Sequence, residues 1–217
     1  EILIGLVGSE MCIRDRCESI VHNAVHFDRG AGLRTNMERH TKEIKKAANY
    51  MRGKKKKNEF EQIALGAVDT FFREADEASR NINSKRFDER FDRMEQTNEL
   101  VHGSYNYHNV FLDVGNGGNA VTNFEKCHND CQVADLYQFL RKVMEKHDWN
   151  INVAYRLVDE YDRLKPLEDD DIDMLVTLLS FPEKFWKIIN QYYNAGKAWV
   201  PAKNIDKLKI VIEQNMR

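Results

Sequence analysis

The chain has 217 residues, of which 42% are hydrophobic and 31% are charged, and its formal net charge is -2. A chain of this length buries a sizeable core, and its composition argues against bulk disorder, a membrane span and a nucleic-acid partner. The sequence contains four cysteines and no recognisable signal peptide, so we expect synthesis in a reducing cytoplasm.

Residues 1–16 are predicted to be a non-native segment. One reading frame of a transposase adapter used in DNA sequencing libraries encodes residues 6–16 without a mismatch, and its flanking bases account for Glu1, Ile2 and Gly5. Such scars are excluded from fold reasoning. The alternative is a buried strand over residues 2–7. On the adapter interpretation, the native sequence starts at about Cys17 and is truncated at its N-terminal side.

Two helices are predicted next, over residues 35–50 and 59–82. The second has an apolar stripe at helical spacing, formed by Phe60, Ile63, Ala64, Ala67, Phe71 and Ala75. Four lysines at residues 54–57 mark the loop between the helices. We interpret them as a solvated loop, and the alternative is a contact with phosphates or an acidic partner.

Short apolar runs at residues 100–102, 110–112 and 120–122 predict a small antiparallel sheet. Residues 115–118, Gly-Asn-Gly-Gly, separate the second run from the third and are typical of a hairpin turn. We therefore do not expect them to be a phosphate-binding glycine loop.

The loops of this sheet carry a phosphotransferase pattern. Residues 102–109 read His-Gly-Ser-Tyr-Asn-Tyr-His-Asn, and residues 123–125 read Asn-Phe-Glu. Phosphoryl transfer needs a carboxylate that orients the attacking hydroxyl, together with an Asn and an Asp that hold magnesium. The pattern resembles the catalytic loop and the metal-binding loop of aminoglycoside phosphotransferase-like kinases.

The resemblance implies roles for five residues. Ser104 and His102 fall in the catalytic motif, with Ser104 at the position of the catalytic Asp. Asn109 and Asn123 fall at magnesium and nucleotide positions, with Asn123 at that of the metal-binding Asp, and Glu125 compensates in part. A serine hydroxyl is a poor proton acceptor near neutral pH, and a neutral amide is a weaker magnesium ligand than a carboxylate. We therefore predict an impaired site.

The rest of the chain is predicted to be helical. The next helix has an apolar face at helical spacing, and Asp135 lies just off that face. The face consists of Val133, Leu136, Tyr137, Leu140, Val143 and Met144. For Asp135 two interpretations stand: the resemblance implies a buried carboxylate that holds the catalytic loop, whereas the helix position alone explains an acid in a first turn. The acidic residues 168–171 are expected to begin another helix, with calcium binding as the alternative.

The C-terminal third points to one particular family of kinase-like proteins. The landmarks of the CotS family of spore coat proteins recur here in order and with similar spacing, so this part of the chain resembles the end of that family. They are residues 135–144, Trp149, residues 161–162, residues 181–187, the pair Tyr192 and Tyr193, and residues 197–199. Members of the family are kinase-like chains of endospore-forming bacteria. The resemblance implies a two-lobed kinase-like protein, a place in the spore coat and other coat proteins as partners. The small lobe, with its phosphate-covering loop and lysine, is expected upstream of this sequence.

The sequence thus predicts an α+β, mostly helical fold, the large C-terminal lobe of an aminoglycoside phosphotransferase-like kinase. We expect helices over residues 17–98, catalytic-type loops and a small sheet over 99–125, and helices over 130–217. The expected function is that of a catalytically impaired coat protein, and the alternative is a weakly active ATP-dependent phosphotransferase with an unknown small-molecule or protein substrate. No cofactor is expected for this fragment; Mg-ATP is expected if the full-length chain is active.

Overall fold

A computed structural model describes residues 32–114, 118–195 and 202–215. The predicted adapter segment, residues 1–16, lies outside these ranges. The chain divides into two compact units. Among the described residues, the first contains 32–33, 84–114 and 118–179, and the second contains 34–83, 180–195 and 202–215.

The described residues are mostly helical, as the sequence predicts. The helices are α1 (Leu33–Gly53), α2 (Glu59–Ile82), α3 (Asp88–Thr97), α4 (Val133–Met144), α5 (Ile151–Leu164), α6 (Asp169–Ser180), α7 (Glu183–Asn194) and α8 (Ala202–Asn215). The strands are β1 (Leu100–Val101), β2 (Val110–Val114), β3 (Gly118–Val121) and β4 (His128–Asn129). No helix in the described ranges combines the length and apolar character needed to cross a membrane.

In the second unit, α2 begins at a capping box. The side chain of Asn58 accepts a hydrogen bond from the backbone of Glu61, and the side chain of Glu61 accepts one from the backbone of Asn58. This reciprocal pair satisfies two amides that a helix start leaves without partners. The apolar face of α2 then packs into a core with α7, where Phe71 stacks on Phe185 with ring centroids 4.1 Å apart.

The lysine-rich loop before α2 is partly built into this unit. The ammonium of Lys54 lies 2.6 Å from a carboxylate oxygen of Glu61, which is fully buried, and Tyr192 donates to the same oxygen. The ammonium of Lys57 donates to the backbone oxygen of Lys54 at 2.8 Å. Two of the four lysines thus stabilise the loop, which weakens the interpretation of the run as a continuous anion-binding surface.

In the first unit, the strands form two antiparallel pairs where the sequence predicted one sheet. β1 pairs with β4 and β2 pairs with β3. The apolar run at Leu100–Val101 therefore does not pair with the run that follows it. The reason is the turn at Gly103, which has a left-handed φ of 70° and directs the chain away before β2 begins.

The acidic residues 168–171 lie at the start of α6, as predicted. They face arginines of α3 and of the 3-10 turn before α3. Arg93 contacts Glu168 at 2.8 Å, Arg90 contacts Asp171 at 2.7 Å, and Arg86 pairs with Asp173 one turn further on. The acidic run is thus matched by cations from α3 and the 3-10 turn before it. Nowhere in the described part of the chain do three His, Cys, Asp or Glu side chains meet as a metal site.

Candidate active-site loop

The side chain of Asp135 holds the loop that follows β1. One carboxylate oxygen of Asp135 accepts a hydrogen bond from the backbone nitrogen of His102 at 2.5 Å, and the other accepts one from that of Gly103 at 3.0 Å. Asp135 is fully buried and lies in the first turn of α4. A buried carboxylate is stable when donors satisfy it, and here the donors are two successive loop amides. These two hydrogen bonds therefore attach the loop to the first turn of α4.

Gly103 is required by the space around it. Its φ of 70° is rarely adopted by residues with a side chain, and a β-carbon at this position would lie 2.1 Å from the backbone oxygen of Lys126. That distance is far inside van der Waals contact. The loop can therefore pass this close to the backbone of residue 126 only because residue 103 is glycine.

Both ring nitrogens of His102 are engaged by the backbone. Its Nε2 lies 2.9 Å from the oxygen of Thr122, and its Nδ1 accepts a hydrogen bond from the backbone nitrogen of Ser104 at 3.2 Å. A carbonyl only accepts and an amide only donates, so Nε2 carries the hydrogen and Nδ1 carries the lone pair. With these bonds in place, the ring has no lone pair for a substrate. His102 thus acts here as a brace between two loops.

Ser104, at the predicted position of the catalytic Asp, is held through its backbone. Its backbone oxygen accepts hydrogen bonds from the side-chain nitrogens of Asn106 at 2.7 Å and Asn109 at 2.8 Å. The amide nitrogen of Asn109 is therefore turned toward Ser104, which leaves the amide oxygen as the atom of Asn109 that suits a cation. Both asparagines thus form hydrogen bonds within the loop.

The second loop is joined to the first at Asn109. The backbone oxygen of Asn109 accepts a hydrogen bond from the backbone nitrogen of Thr122 at 2.9 Å. The next residue, Asn123, is exposed and left-handed, with φ 70° and ψ 53°, and it starts the 3-10 helix Phe124–Lys126, which carries the exposed Glu125. The residues that the sequence assigned to magnesium and nucleotide thus lie on two loops tied together by backbone hydrogen bonds.

Comparison with solved structures identifies the fold. The chain is similar to the crystal structure of an aminoglycoside phosphotransferase from Alicyclobacillus acidocaldarius subsp. acidocaldarius, with a TM-score of 0.79 and 16% sequence identity. The chain has an aminoglycoside phosphotransferase-like fold. The match covers 99% of this chain and 60% of that structure's chain, so the present chain spans about three fifths of the length of its structural neighbour. No protein-family profile and no curated protein matches the sequence.

This finding confirms the predicted kinase-like fold class, while the CotS resemblance and the adapter segment remain predictions. At 16% identity the likeness concerns the fold alone. What the loops of this phosphotransferase-like fold can do depends on the residues that this chain places on them.

Magnesium fits these residues poorly. Asn109 and Asn123 would offer two neutral amides, whereas metal binding in phosphoryl transfer pairs an Asn with an Asp carboxylate, so Glu125 is the one carboxylate in this set. Asp135 adds nothing to this set, because its two oxygens face backbone amides and it is fully buried. The phosphotransferase-like loops thus retain their support and have few charges with which to hold a metal ion.

Sequence reasoning missed the segment that supports the loop from the other side, Lys126–Asp130. The backbone oxygen of Lys126 abuts Gly103, and β4 pairs His128 with Val101 immediately before the loop. Asp130 is buried and accepts from the backbone nitrogen of Cys131 at 2.8 Å. Nothing in the spacing of these residues marks the contact, which depends on the pairing of two short strands.

Proposed function

We propose that this chain belongs to a kinase-like spore coat protein of the CotS type whose phosphotransferase chemistry is impaired. The observation that carries the proposal is the combination at residues 102–109. The loop is fully supported by Asp135, His102 and Asn109, yet the residue at the position of the general base is Ser104. A loop of this kind keeps its shape without its reactive group.

The expected loss of phosphoryl-transfer rate is large. Removing a positioned general base lowers the rate of a reaction by about 100- to 10,000-fold. Asn123 adds to the loss, because an amide in place of a carboxylate weakens the hold on magnesium. Both substitutions act on chemistry and leave the fold of the loop in place.

The coat role rests on the resemblance of the C-terminal third and on the outer surface of the first unit. Trp149, Ile151 and Tyr155, at the start of α5, are 40%, 58% and 62% exposed. Large apolar side chains on a surface are suited to protein contacts. We assign them to contacts with other coat proteins, after synthesis in the cytoplasm.

A weakly active phosphotransferase, acting on a small molecule or on a coat protein, is the second candidate. Its support is the same retained geometry, because Asn109 turns its amide oxygen away from Ser104 and Glu125 stays exposed beside Asn123. On this alternative the full-length protein binds Mg-ATP through these residues and transfers phosphate slowly.

Magnesium-dependent ATP binding and hydrolysis distinguish the two candidates. The locus is first resequenced without the suspected adapter, and the complete reading frame is expressed as three proteins: the native sequence, Ser104→Asp with Asn123→Asp, and Ser104→Ala. We expect no turnover above background for the native sequence and for Ser104→Ala, and a gain for the double variant. Native turnover that drops at least tenfold in Ser104→Ala contradicts the impaired assignment and favours the second candidate.

A further inference from the structure

In the second unit, a groove with a volume of about 290 Å³ lies between α1 and α2. Each helix lines it with residues three or four positions apart, which is the spacing of one helix face. The hydroxyl of Thr41 lies between the two helices, 3.3 Å from the backbone oxygen of Ala75, and the half-buried ring of Phe72 gives the groove an apolar wall. Small-molecule sites typically measure about 300–1,000 Å³, so the groove suits one large side chain better than a complete small molecule.

The groove carries an excess of positive charge. The ammonium of Lys42 pairs with Glu38 at 3.3 Å, and the guanidinium of Arg80 pairs with Asp76 at 3.1 Å. The ammonium of Lys45 lies over the aromatic ring of the groove wall, 5.9 Å from its centroid, and it pairs with no carboxylate in the part of the chain that the structure describes. Lys45 is therefore the charge in the groove that a bound anion would neutralise.

Positive charge continues along the exposed face of α1. Residues 34–57 contain ten Lys and Arg and only two Glu. On the exposed face of α1, which we call the basic face, five cations accompany one carboxylate, Glu38. Cations held this close repel one another, so an anionic partner that covers them is favoured. They extend over about 20 Å of helix, the length of about six residues of extended chain. The five cations are Arg39, Lys42, Lys45, Lys46 and Arg52.

We propose that the groove and the basic face bind an extended acidic segment of a partner protein, which places one large apolar side chain against Phe72. Carboxylates beside this side chain meet the ammonium groups of Lys45 and Lys46. The apolar side chain displaces water from the aromatic ring, which favours binding, and the charges determine which partners fit. This surface is distinct from the exposed residues at the start of α5, and its role does not depend on phosphate transfer.

The carboxylates of the groove favour a protein over a nucleic acid as the partner. Glu38 and Asp76 both line the groove beside their cations. A nucleic acid carries a phosphate at every nucleotide, so a strand in the groove would bring phosphates close to both carboxylates. A protein segment can instead place its acidic residues opposite the cations and an uncharged residue opposite each carboxylate.

Fluorescence anisotropy of labelled peptides tests the inference on the whole chain. The probes are four glutamate-rich peptides that differ only in their central residue, which is Phe, Trp, Leu or Met, and a fifth peptide with alanine there. We expect at least one of the four to bind. We expect the alanine peptide to bind about tenfold more weakly than the best of them, because it lacks the side chain that fills the groove. Added salt should weaken binding by screening the charges.

Two double variants of the chain provide the matched comparison. Lys45→Glu with Lys46→Glu reverses two charges of the basic face, and Lys203→Glu with Lys207→Glu makes the same charge change on α8 of the same unit. All four lysines are exposed. We expect the first double variant to raise the Kd of the best peptide by about tenfold or more, and the second to change it by less than about twofold.

The inference is overturned if none of the four peptides binds with a Kd below about 1 mM, or if the two double variants weaken binding equally. Tighter binding of single-stranded RNA or of phosphatidylserine vesicles than of the best peptide also overturns it. So does self-association of the native chain that Lys45→Glu with Lys46→Glu abolishes, because that result assigns the surface to a second copy of the chain.

Discussion

At the scale of single residues, the loop after β1 depends on contacts that only one side chain can make. Asp135 supplies both acceptors for the His102 and Gly103 amides, and a neutral asparagine offers one acceptor in its place. Gly103 is needed because a β-carbon at this position would clash with the backbone oxygen of Lys126. Ser104, by contrast, is held through its backbone, so its identity affects chemistry more than shape.

Gly103→Ala gives the sharpest residue-scale prediction. The alanine meets the Lys126 oxygen and must adopt a left-handed φ, so we expect a loss of unfolding free energy of about 1–3 kcal/mol. Urea unfolding of the whole chain measures it. Gly66→Ala is the matched control, because Gly66 lies in α2 with open space around its Cα. There we expect a gain of about 0.5–1 kcal/mol. Equal effects at the two sites would contradict the geometry at Gly103.

At the scale of elements, the first unit joins α3 to α6 through arginines and carboxylates of different burial. Arg90 is 5% exposed and binds Glu99 through two hydrogen bonds and Asp171 through a third. The side chain of Arg93 is 42% exposed and reaches Glu168 and, more distantly, Asp170. Removing one member of a buried charge network lowers the unfolding free energy far more than removing one member of an exposed network.

Arg90→Leu and Arg93→Leu test this difference. The first leaves Glu99 and Asp171 without their buried cation, and we expect it to lower the unfolding free energy by about 3–5 kcal/mol. The second removes two exposed ion pairs, each worth about 0–1 kcal/mol. Chemical denaturation of the two variants beside the native chain provides the measurement. A loss below about 1 kcal/mol for Arg90→Leu would show that the network is not a stabilising feature.

The elements also show what the sequence predicts and what it does not. The helix over residues 59–82 was predicted with its observed bounds. Of its predicted apolar stripe, Phe60, Ala64, Phe71 and Ala75 are buried, whereas Ile63 and Ala67 are half-buried. The pairing of β1 was predicted wrongly, because its partner His128–Asn129 has no strand-like pattern. The site residues at 102–109 were visible as a motif. The contact of Lys126 and His128 with the Gly103 turn was not visible in the sequence, because it arises only when β1 pairs with β4.

At the scale of the whole molecule, each unit contains a carboxylate whose charge is stabilised against burial. Burial opposes the charge of Glu61, yet hydrogen bonds from Lys54, Tyr192 and the Asn58 backbone outweigh it and lower the pKa of this carboxyl. In the first unit, burial likewise opposes the charge of Glu99, and its hydrogen bonds, the strongest from Arg90, lower its pKa. A lowered pKa stabilises the fold above the unfolded value and is lost as the pH falls through the folded value.

We therefore expect acid to destabilise both units, beginning near the unfolded glutamate pKa of about 4.3. Glu61→Gln should lower stability near neutral pH, and its difference from the native chain should shrink as the pH falls through the lowered pKa of Glu61. Glu77→Gln is the control, because Glu77 is exposed in the same helix. Thermal unfolding recorded across acidic pH measures both. A difference between native chain and Glu61→Gln that stays constant with pH would refute the linkage.

The backbone attachment of Ser104 bears on how such a loop changes over time. Residue 104 gives its neighbours a backbone nitrogen and a backbone oxygen, which every residue except proline can supply. Exchange between serine and aspartate at this position therefore leaves these three hydrogen bonds in place. On the proposed function, a lineage can exchange the two residues in either direction without first repairing these backbone hydrogen bonds, so folding stability alone exerts little selection between them.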